Sequence, residues 1–364
     1  MFQSRIASKV ILYAFFFLLF FPCFTLSAKN IPSYDSLTEL NAKFENTKWH
    51  GFLRFLDAEL GHRINGMSEI KKYFHRFGYL DKDSLDHDDE ISNLNDIFDA
   101  KFELAVEKYQ KNLGLHKTSK LDKETMQSIM SPRCGVSDHS HTLSHVMQHY
   151  EYFNGEPKWT RNTLNYAFSP NNTIDFINSS DIKLAIQRAF GRWSEVIPVN
   201  FIETQSYSTA DIKIGFYNGD HGDVYPFDGV LGVLAHAFSP EDGRLHFDSD
   251  EKWSVDFNLQ KSKHAVDLES VAMHEIGHIL GLGHSSVKES IMYPIISLRS
   301  KKVNLRLDDV AGVQALYGSN PDFNFTSFLE SEHSSGWSID LHRRSSSKWV
   351  TTFSIVGLVV SLIL

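Results

Sequence analysis

The sequence predicts an α+β protein, in which a small three-helix bundle precedes a domain of mixed strands and helices. Three observations carry this expectation. Residues 67–130 place apolar side chains at helical spacing without strand-like alternation. From Trp159 onward, alternating runs and helical stripes follow one another. Between them in character stands the stretch 267–294, DLESVAMHEIGHILGLGHSSVKESIMYP, whose histidines have the spacing of metal ligands on a helix.

The elements can be taken in order. Ile70, Tyr73, Phe74 and Phe77 fall at i, i+3, i+4, i+7, and Gly78 ends that helix. The acidic stretch 81–90 reads as a solvated loop. Phe98, Phe102, Ala105, Val106, Tyr109 and Leu113 form a second stripe, stopped by Gly114. A third helix over 122–130 ends before Pro132. In the second half, Leu164, Tyr166 and Phe168 alternate as a strand. Ser180 is expected to cap a helix that puts Ile182, Ala185, Ile186, Ala189, Phe190 and Trp193 on one face. Ile212 and Ile214 mark another strand, and 309–317 a closing helix with Gly318 behind it.

The chemistry is concentrated in 267–294. Asp267 can cap a helix on which His274 and His278, four residues apart, leave the same face. Two such imidazoles can hold one zinc, and Gly281 and Gly283 let the chain turn so that His284 becomes a third ligand. Three protein ligands leave the fourth tetrahedral position for water, the arrangement of a catalytic site. Glu275 stands beside that position and can take the proton.

A net charge of −9 without a Lys/Arg-rich run argues against nucleic acid as a partner. Residues 1–28 read as a secretory signal: Arg5 and Lys9, an apolar run, then small residues suited to cleavage. Asn171, Asn178 and Asn324 head glycosylation triplets that fit this route. Of two cysteines, Cys23 leaves with the signal, so the mature chain carries only Cys134. A lone thiol on a secreted chain implies an intermolecular bond, a reactive role or a metal.

HExxHxxGxxH, followed by Met292-Tyr293-Pro294 where a methionine turn would floor the site, resembles the metzincin metallopeptidases. Ser285 after the third histidine, with SIMYP beyond, is similar to their matrixin branch (the matrix metalloproteinases). The 131–138 stretch SPRCGVSD resembles the cysteine switch of that family, with Ser137 where it often has Pro. The resemblance implies a twisted mixed five-stranded sheet with three helices, behind a peptidoglycan-binding-like propeptide bundle. It also implies that Cys134 fills the water position of a latent enzyme, with Arg133 and Asp138 pairing to hold the loop.

The segment 221–253 is dense in His and Asp. His221, Asp223, His236 and His246 can close a tetrahedron with no open position, a structural zinc; matrixins place their second zinc on matching positions. Asp228, Asp248 and Glu251, with the backbone oxygens of Gly229, Leu231 and Val233, resemble the calcium site of the family, and hard oxygen ligands suit that ion. Asp211 matches one ligand of a further calcium, which stays open because the loop from His236 to His246 lacks a Gly-rich stretch. The expected cofactors are therefore two zinc ions and at least one calcium.

The expected organisation is a signal peptide (1–28), a propeptide (29–158) ending in a polar, cleavable linker (139–158), a catalytic domain (159–319), a stalk (320–335) and a removed tail (336–364). The linker carries His139, His141, His145 and His149 without ligand spacing. The tail joins small residues at Ser334-Ser335-Gly336, a polar spacer and a 16-residue apolar run, the layout of a GPI-attachment signal at Ser334 or Ser335. After Gly318 too few residues remain for the propeller domain of many animal matrixins, so the resemblance is strongest to plant-type members.

The expected protein is a latent, zinc-dependent endopeptidase, monomeric and anchored through GPI to the outer leaflet of the plasma membrane. Leu234 and Ala235 are expected on an edge strand that binds extended extracellular peptide substrates. The apolar loop 295–298 is expected to favour a residue such as Leu after the scissile bond. The rival reading is a non-catalytic, metal-stabilised surface-binding protein, which would be marked by loss of Glu275 or a ligand; none is lost.

Overall fold

The computed structural model describes residues 40, 48–80, 94–138 and 150–334. The signal segment, the acidic stretch 81–90, His139, His141, His145, His149, Ser335 and the tail from 336 lie outside the described residues. Among the described residues, no helix is long and apolar enough to cross a membrane.

Two compact units separate, with 76–79 and 111–114 grouping with the second. The first holds helices α1 (Met67–Arg76), α2 (Ala100–Asn112) and α3 (Lys123–Ile129). The stripes read from the sequence are the buried faces: Met67, Ile70, Tyr73 and Phe74 on α1, and Phe102, Ala105, Val106 and Tyr109 on α2. Phe74 meets Phe102 edge-on at 5.0 Å, an aromatic geometry that adds to simple burial. Asp122 caps α3 by accepting from Thr125 N. Phe98 is buried but precedes α2, because Ile97 is held in a bridge to Arg63. A 3₁₀ segment, Lys48–Phe55, also belongs here and had no sequence signal.

The second unit is built on a six-stranded sheet. Its strands are β1 (Arg133–Cys134), β3 (Thr163–Phe168), β4 (Asn200–Glu203), β5 (Ile212–Tyr217), β6 (Val233–Ala237) and β7 (Arg244–Asp248), in the order β1-β6-β7-β5-β3-β4. Strands β4, β3, β5 and β7 run parallel, and β6 alone is antiparallel to its neighbour β7. The expectation of five strands holds for the segment after Trp159; the sixth, β1, comes from the switch sequence. Leu234 and Ala235 are therefore not on a free edge. Arg133 N donates to Gly232 O and Gly135 N to Ala235 O, so β1 covers β6 in parallel.

Helices α4 (Ser179–Ser194) and α5 (Leu268–Ile279) pack together against this sheet, and Trp193 Nε1 donates to Met273 O at 3.0 Å. The apolar face predicted for α4 is buried, but the helix begins at Ser179 with Asn178 in the cap position, so Ser180 lies inside it. A short parallel pair, β8 (Trp253–Ser254) and β9 (Val266–Asp267), leads into α5, and β10 (Leu282–Ser285) follows it.

Two linker expectations change. Strand β2 (Tyr150–Tyr152), expected within a flexible linker, pairs antiparallel with β10, and Tyr152 Oη donates to Gly312 O. The stalk expected over 320–335 instead holds helix α7 (Phe325–Ser334), with Phe323 and Phe328 packed on the core. It follows helix α6 (Leu307–Tyr317), which Gly318 ends at φ +79°.

Candidate active site and metal centres

Asp267 caps α5 as expected, accepting from Ser270 N at 2.8 Å. One helical turn then separates His274 from His278. The reversal after α5 needs Gly281, at φ +100° and with Pro157 O only 2.2 Å from where a Cβ would lie. Gly283 does not supply a second such dihedral; it sits in β10, whose extension carries His284 back beside α5. Met292 lies beneath the site, with Sδ 2.2 Å from the place a Cβ would take on Gly277.

Each imidazole is oriented through Nδ1: His274 to Ile291 O at 2.7 Å, His278 to Leu282 O at 2.8 Å, and His284 to Asp138 Oδ1 at 2.7 Å. Those acceptors put the proton on Nδ1 and leave the Nε2 lone pairs facing inward. His278 Nε2 stands 3.1 Å from His274 Nε2, 3.2 Å from His284 Nε2 and 3.4 Å from Cys134 Sγ. Zinc–nitrogen bonds of about 2.0–2.1 Å at tetrahedral angles imply nitrogen separations of about 3.3 Å. The donor set fits zinc: inward lone pairs at this distance repel unless a cation stands among them. Burial and the neighbouring imidazoles hold His274 and His278 well below the usual histidine range, in the neutral form a metal requires.

Glu275 is fully buried, and neither carboxylate oxygen has a hydrogen-bond partner among the described residues. Burial pushes its pKa up to about 8. Buried polar groups are normally satisfied, so this carboxylate marks a place where a partner is to be received.

Cys134 is buried, with its backbone held on two sides. β1 pairs with β6, while Cys134 N donates to Pro294 O and Ile296 N to Pro132 O. Asp138 Oδ1 accepts from both Arg133 Nη2 and His284 Nδ1, and Oδ2 accepts from Tyr79 Oη. Burial alone would raise the Asp138 carboxyl, but the Arg133 guanidinium and His284 outweigh it and hold it well below the usual range. The pairing of Arg133 with Asp138 was legible. The second use of Asp138, on a histidine ligand, was not, nor were Tyr79 and the Phe77 ring 3.6 Å beneath the guanidinium.

A second cluster gathers His221, Asp223, His236 and His246. Asp223 Oδ2 lies 2.9 Å from His221 Nε2, 2.7 Å from His236 Nε2 and 2.8 Å from His246 Nδ1. Burial pulls His236 and His246 down to about 4, so both are neutral ligands at physiological pH. The four ligand atoms lie within 4.8 Å of one another.

The acidic residues expected to hold calcium lie before β6 (Asp228), at the end of β7 (Asp248) and just after it (Glu251). Asp248 and Glu251 are fully buried, and Asp248 Oδ2 and Glu251 Oε2 lack hydrogen-bond partners among the described residues. Burial, with neighbouring acidic charge, raises Glu251 to about 8 and Asp248 to about 6. Asp228 is exposed and accepts from Val233 N, while Glu251 accepts from Leu231 N. Two buried carboxylates with orphaned oxygens fit a hard cation. Asp211 differs, since Arg161 and Asn165 N already engage its carboxylate.

Asp309 was missed as a supporting residue. Fully buried at the start of α6, it accepts from Ser290 Oγ, Ile291 N, Met292 N and Arg306 N, fixing the methionine turn and the carbonyl that orients His274. The acidic pair at 308–309 was its only trace in the sequence. The sequon residues Asn171, Asn178 and Asn324 are all exposed.

Comparison with known proteins agrees with this geometry. The matrixin model matches residues 158–318, and a peptidoglycan binding domain model matches 63–129. Metalloendoproteinase 1-MMP of Arabidopsis thaliana is 48% identical over 358 residues, covering 96% of each chain. The chain belongs to the matrixin family. It is a zinc metalloendopeptidase with a helical propeptide-type domain ahead of the catalytic one. Metalloendoproteinase 4-MMP of the same plant is 52% identical over 79% of this chain and 83% of its own. Rat stromelysin-2 is 43% identical over 61% of this chain and 44% of its own.

Proposed function

We propose that this matrixin is secreted as a latent enzyme and hydrolyses extracellular proteins at the outer cell surface, with Glu275 as general base and Cys134 as the latency device. The observation that carries the reading is the convergence of three oriented Nε2 atoms and the Cys134 sulfur beside the unpartnered Glu275. His274, His278 and His284 would hold zinc, which when bound would supply Lewis acidity toward the scissile carbonyl and water.

The remaining chemistry belongs to the chain. Glu275 takes a proton from the attacking water and delivers it to the leaving amine. Ile291, Leu282 and Asp138 keep the imidazole lone pairs aimed. In the latent chain Cys134 takes the fourth ligand position and β1 takes the edge of β6. Departure of 131–138 opens both together, and β6 then offers its backbone to an extended substrate.

The second histidine cluster acts as a structural zinc site, and Asp248 and Glu251, with Asp228 and the carbonyls of Gly229, Leu231 and Val233, as a calcium site. Secretion rests on 1–28 and on the sequons. GPI attachment at Ser334 or Ser335 rests on the small-residue, spacer and apolar pattern of the tail. Phosphatidylinositol-specific phospholipase C should release the protein from intact cells; retention would exclude the anchor.

The decisive test is Glu275→Ala. Two zinc ions and an unchanged fold are expected, with peptide hydrolysis down by about 10²–10⁴-fold, the usual worth of a general acid–base. Activity within tenfold of wild type would overturn the mechanism.

A further inference from the structure

The chain carries a net charge of −9, yet one face of the catalytic unit gathers cations. Segments 257–266 and 295–301 contain Lys261, Lys263, Arg299 and Lys301 and no Asp or Glu. All four residues are exposed. The fold joins the two segments at Arg299. Its backbone N donates to Ala265 O at 2.9 Å, and its guanidinium donates to Gln260 O, Ser262 O and Phe257 O. Carbonyls occupy those donors without cancelling the charge. Lys261 and Lys263 form no ion pair among the described residues.

Lys301 extends the patch to α5 and α4. Its Nζ lies 2.8 Å from Glu269 Oε2 and 3.9 Å from Asp267 Oδ2. Arg188 Nη2 and Arg192 Nε reach the same Glu269 carboxylate at 2.7 and 3.6 Å. Three cations thus share two carboxylates, and both carboxylates are buried. Asp256, exposed just ahead of the first segment, accepts from Asn258 N at 2.7 Å. What this face shows to solvent is therefore a surplus of positive charge.

The patch continues from the edge of the cleft. Cys134 N donates to Pro294 O and Ile296 N to Pro132 O, so 294–296 borders the place that the switch segment occupies. The same loop runs on to Arg299 and Lys301. On α5, Glu269 precedes His274 by five residues, about 7.5 Å of axial rise. Polypeptide that leaves the cleft past Ile296 meets the patch within a few residues, at about 3.3 Å each.

We infer that this face is an exosite for an acidic stretch of the protein substrate, downstream of the scissile bond and outside the cleft. The inference deepens the endopeptidase reading and rests on it. An enzyme of net negative charge repels an acidic substrate, and a local surplus of cations reverses that where the substrate emerges. Single exposed ion pairs are weak, so the effect belongs to the group and is screened by salt.

The test uses the full-length protein activated with a mercurial, and one cleavable peptide carrying either a tetra-Glu or a tetra-Ser tail at its carboxyl end. Wild type at low salt is expected to cleave the Glu-tailed peptide with kcat/KM about fivefold or more above the Ser-tailed one, through KM rather than kcat. Near 0.5 M salt the gain should shrink to within about twofold. Lys261→Glu/Lys263→Glu should abolish the gain and leave the Ser-tailed peptide unaffected, and Lys261→Gln/Lys263→Gln should reduce the gain by less. Equal cleavage of the two tails by wild type overturns the inference and leaves the endopeptidase reading standing. A gain that survives in the Glu double variant overturns it too. Retention of wild type, but not of that variant, on an immobilised polyuronate, with no gain for the acidic tail, overturns it in favour of a carbohydrate partner. A zinc-loaded wild type that cleaves neither peptide overturns both readings.

Discussion

His221, Asp223, His236 and His246 come from one short stretch, with Asp223 and His246 only 23 residues apart. His274, His278 and His284 take their fourth partner from Cys134, 144 residues from His278. The first cluster is assembled by a loop and two adjacent strands, and every donor belongs to the same local fold. In the second, one donor arrives on a separate two-residue strand, β1, beside the buried Glu275 carboxylate. Clusters of like composition thus differ in exchangeability: a ligand delivered by a short strand can be withdrawn without dismantling the sheet that holds the others.

The largest expected effect follows from that withdrawal. In Cys134→Ser a hydroxyl that ionises poorly replaces the thiol. Full-length protein should then hydrolyse peptide without mercurial or protease, more than about tenfold faster than untreated wild type, roughly 1.4 kcal/mol or more. Both zinc ions should remain. A silent Ser variant would show that the fourth position is not what restrains the enzyme, and the comparison would fail.

Asp223→Ala strikes the closed cluster, where no donor is spare. Zinc content should fall from two to one, with about 3–5 kcal/mol lost in stability, the usual cost of leaving a buried ionic set incomplete. Metal analysis and thermal unfolding, run beside the Cys134 variant, measure the contrast directly. Equal zinc loss in both variants would erase it.

The smallest effect concerns the neighbouring acidic site. Glu251 and Asp248 have raised pKa values, about 8 and about 6, against about 4.3 and 3.9 in an unfolded chain. Raised carboxyl groups lend stability that is complete below the unfolded values and is lost as pH climbs through the folded ones. Calcium-chelated protein should therefore melt lower at pH 8 than at pH 5. Added calcium should restore more at pH 8, a difference on the order of 2–4 °C. Equal restoration at both values would exclude these carboxylates as the ligands.

What the sequence by itself determined was set by local spacing. A four-residue interval on a helix places His274 and His278 on one face whatever surrounds them, and Asp267 caps that helix from three residues away. The buried stripes of α1, α2 and α4 were likewise written in their period. Only the tertiary structure decided the rest. It laid β1 along β6, paired β2 with β10, brought the Asp138 carboxylate to both Arg133 and His284, and set Asp309 under the methionine turn. These contacts join segments many residues apart, and their partners are selected by packing and by the satisfaction of buried polar groups. No local period records either.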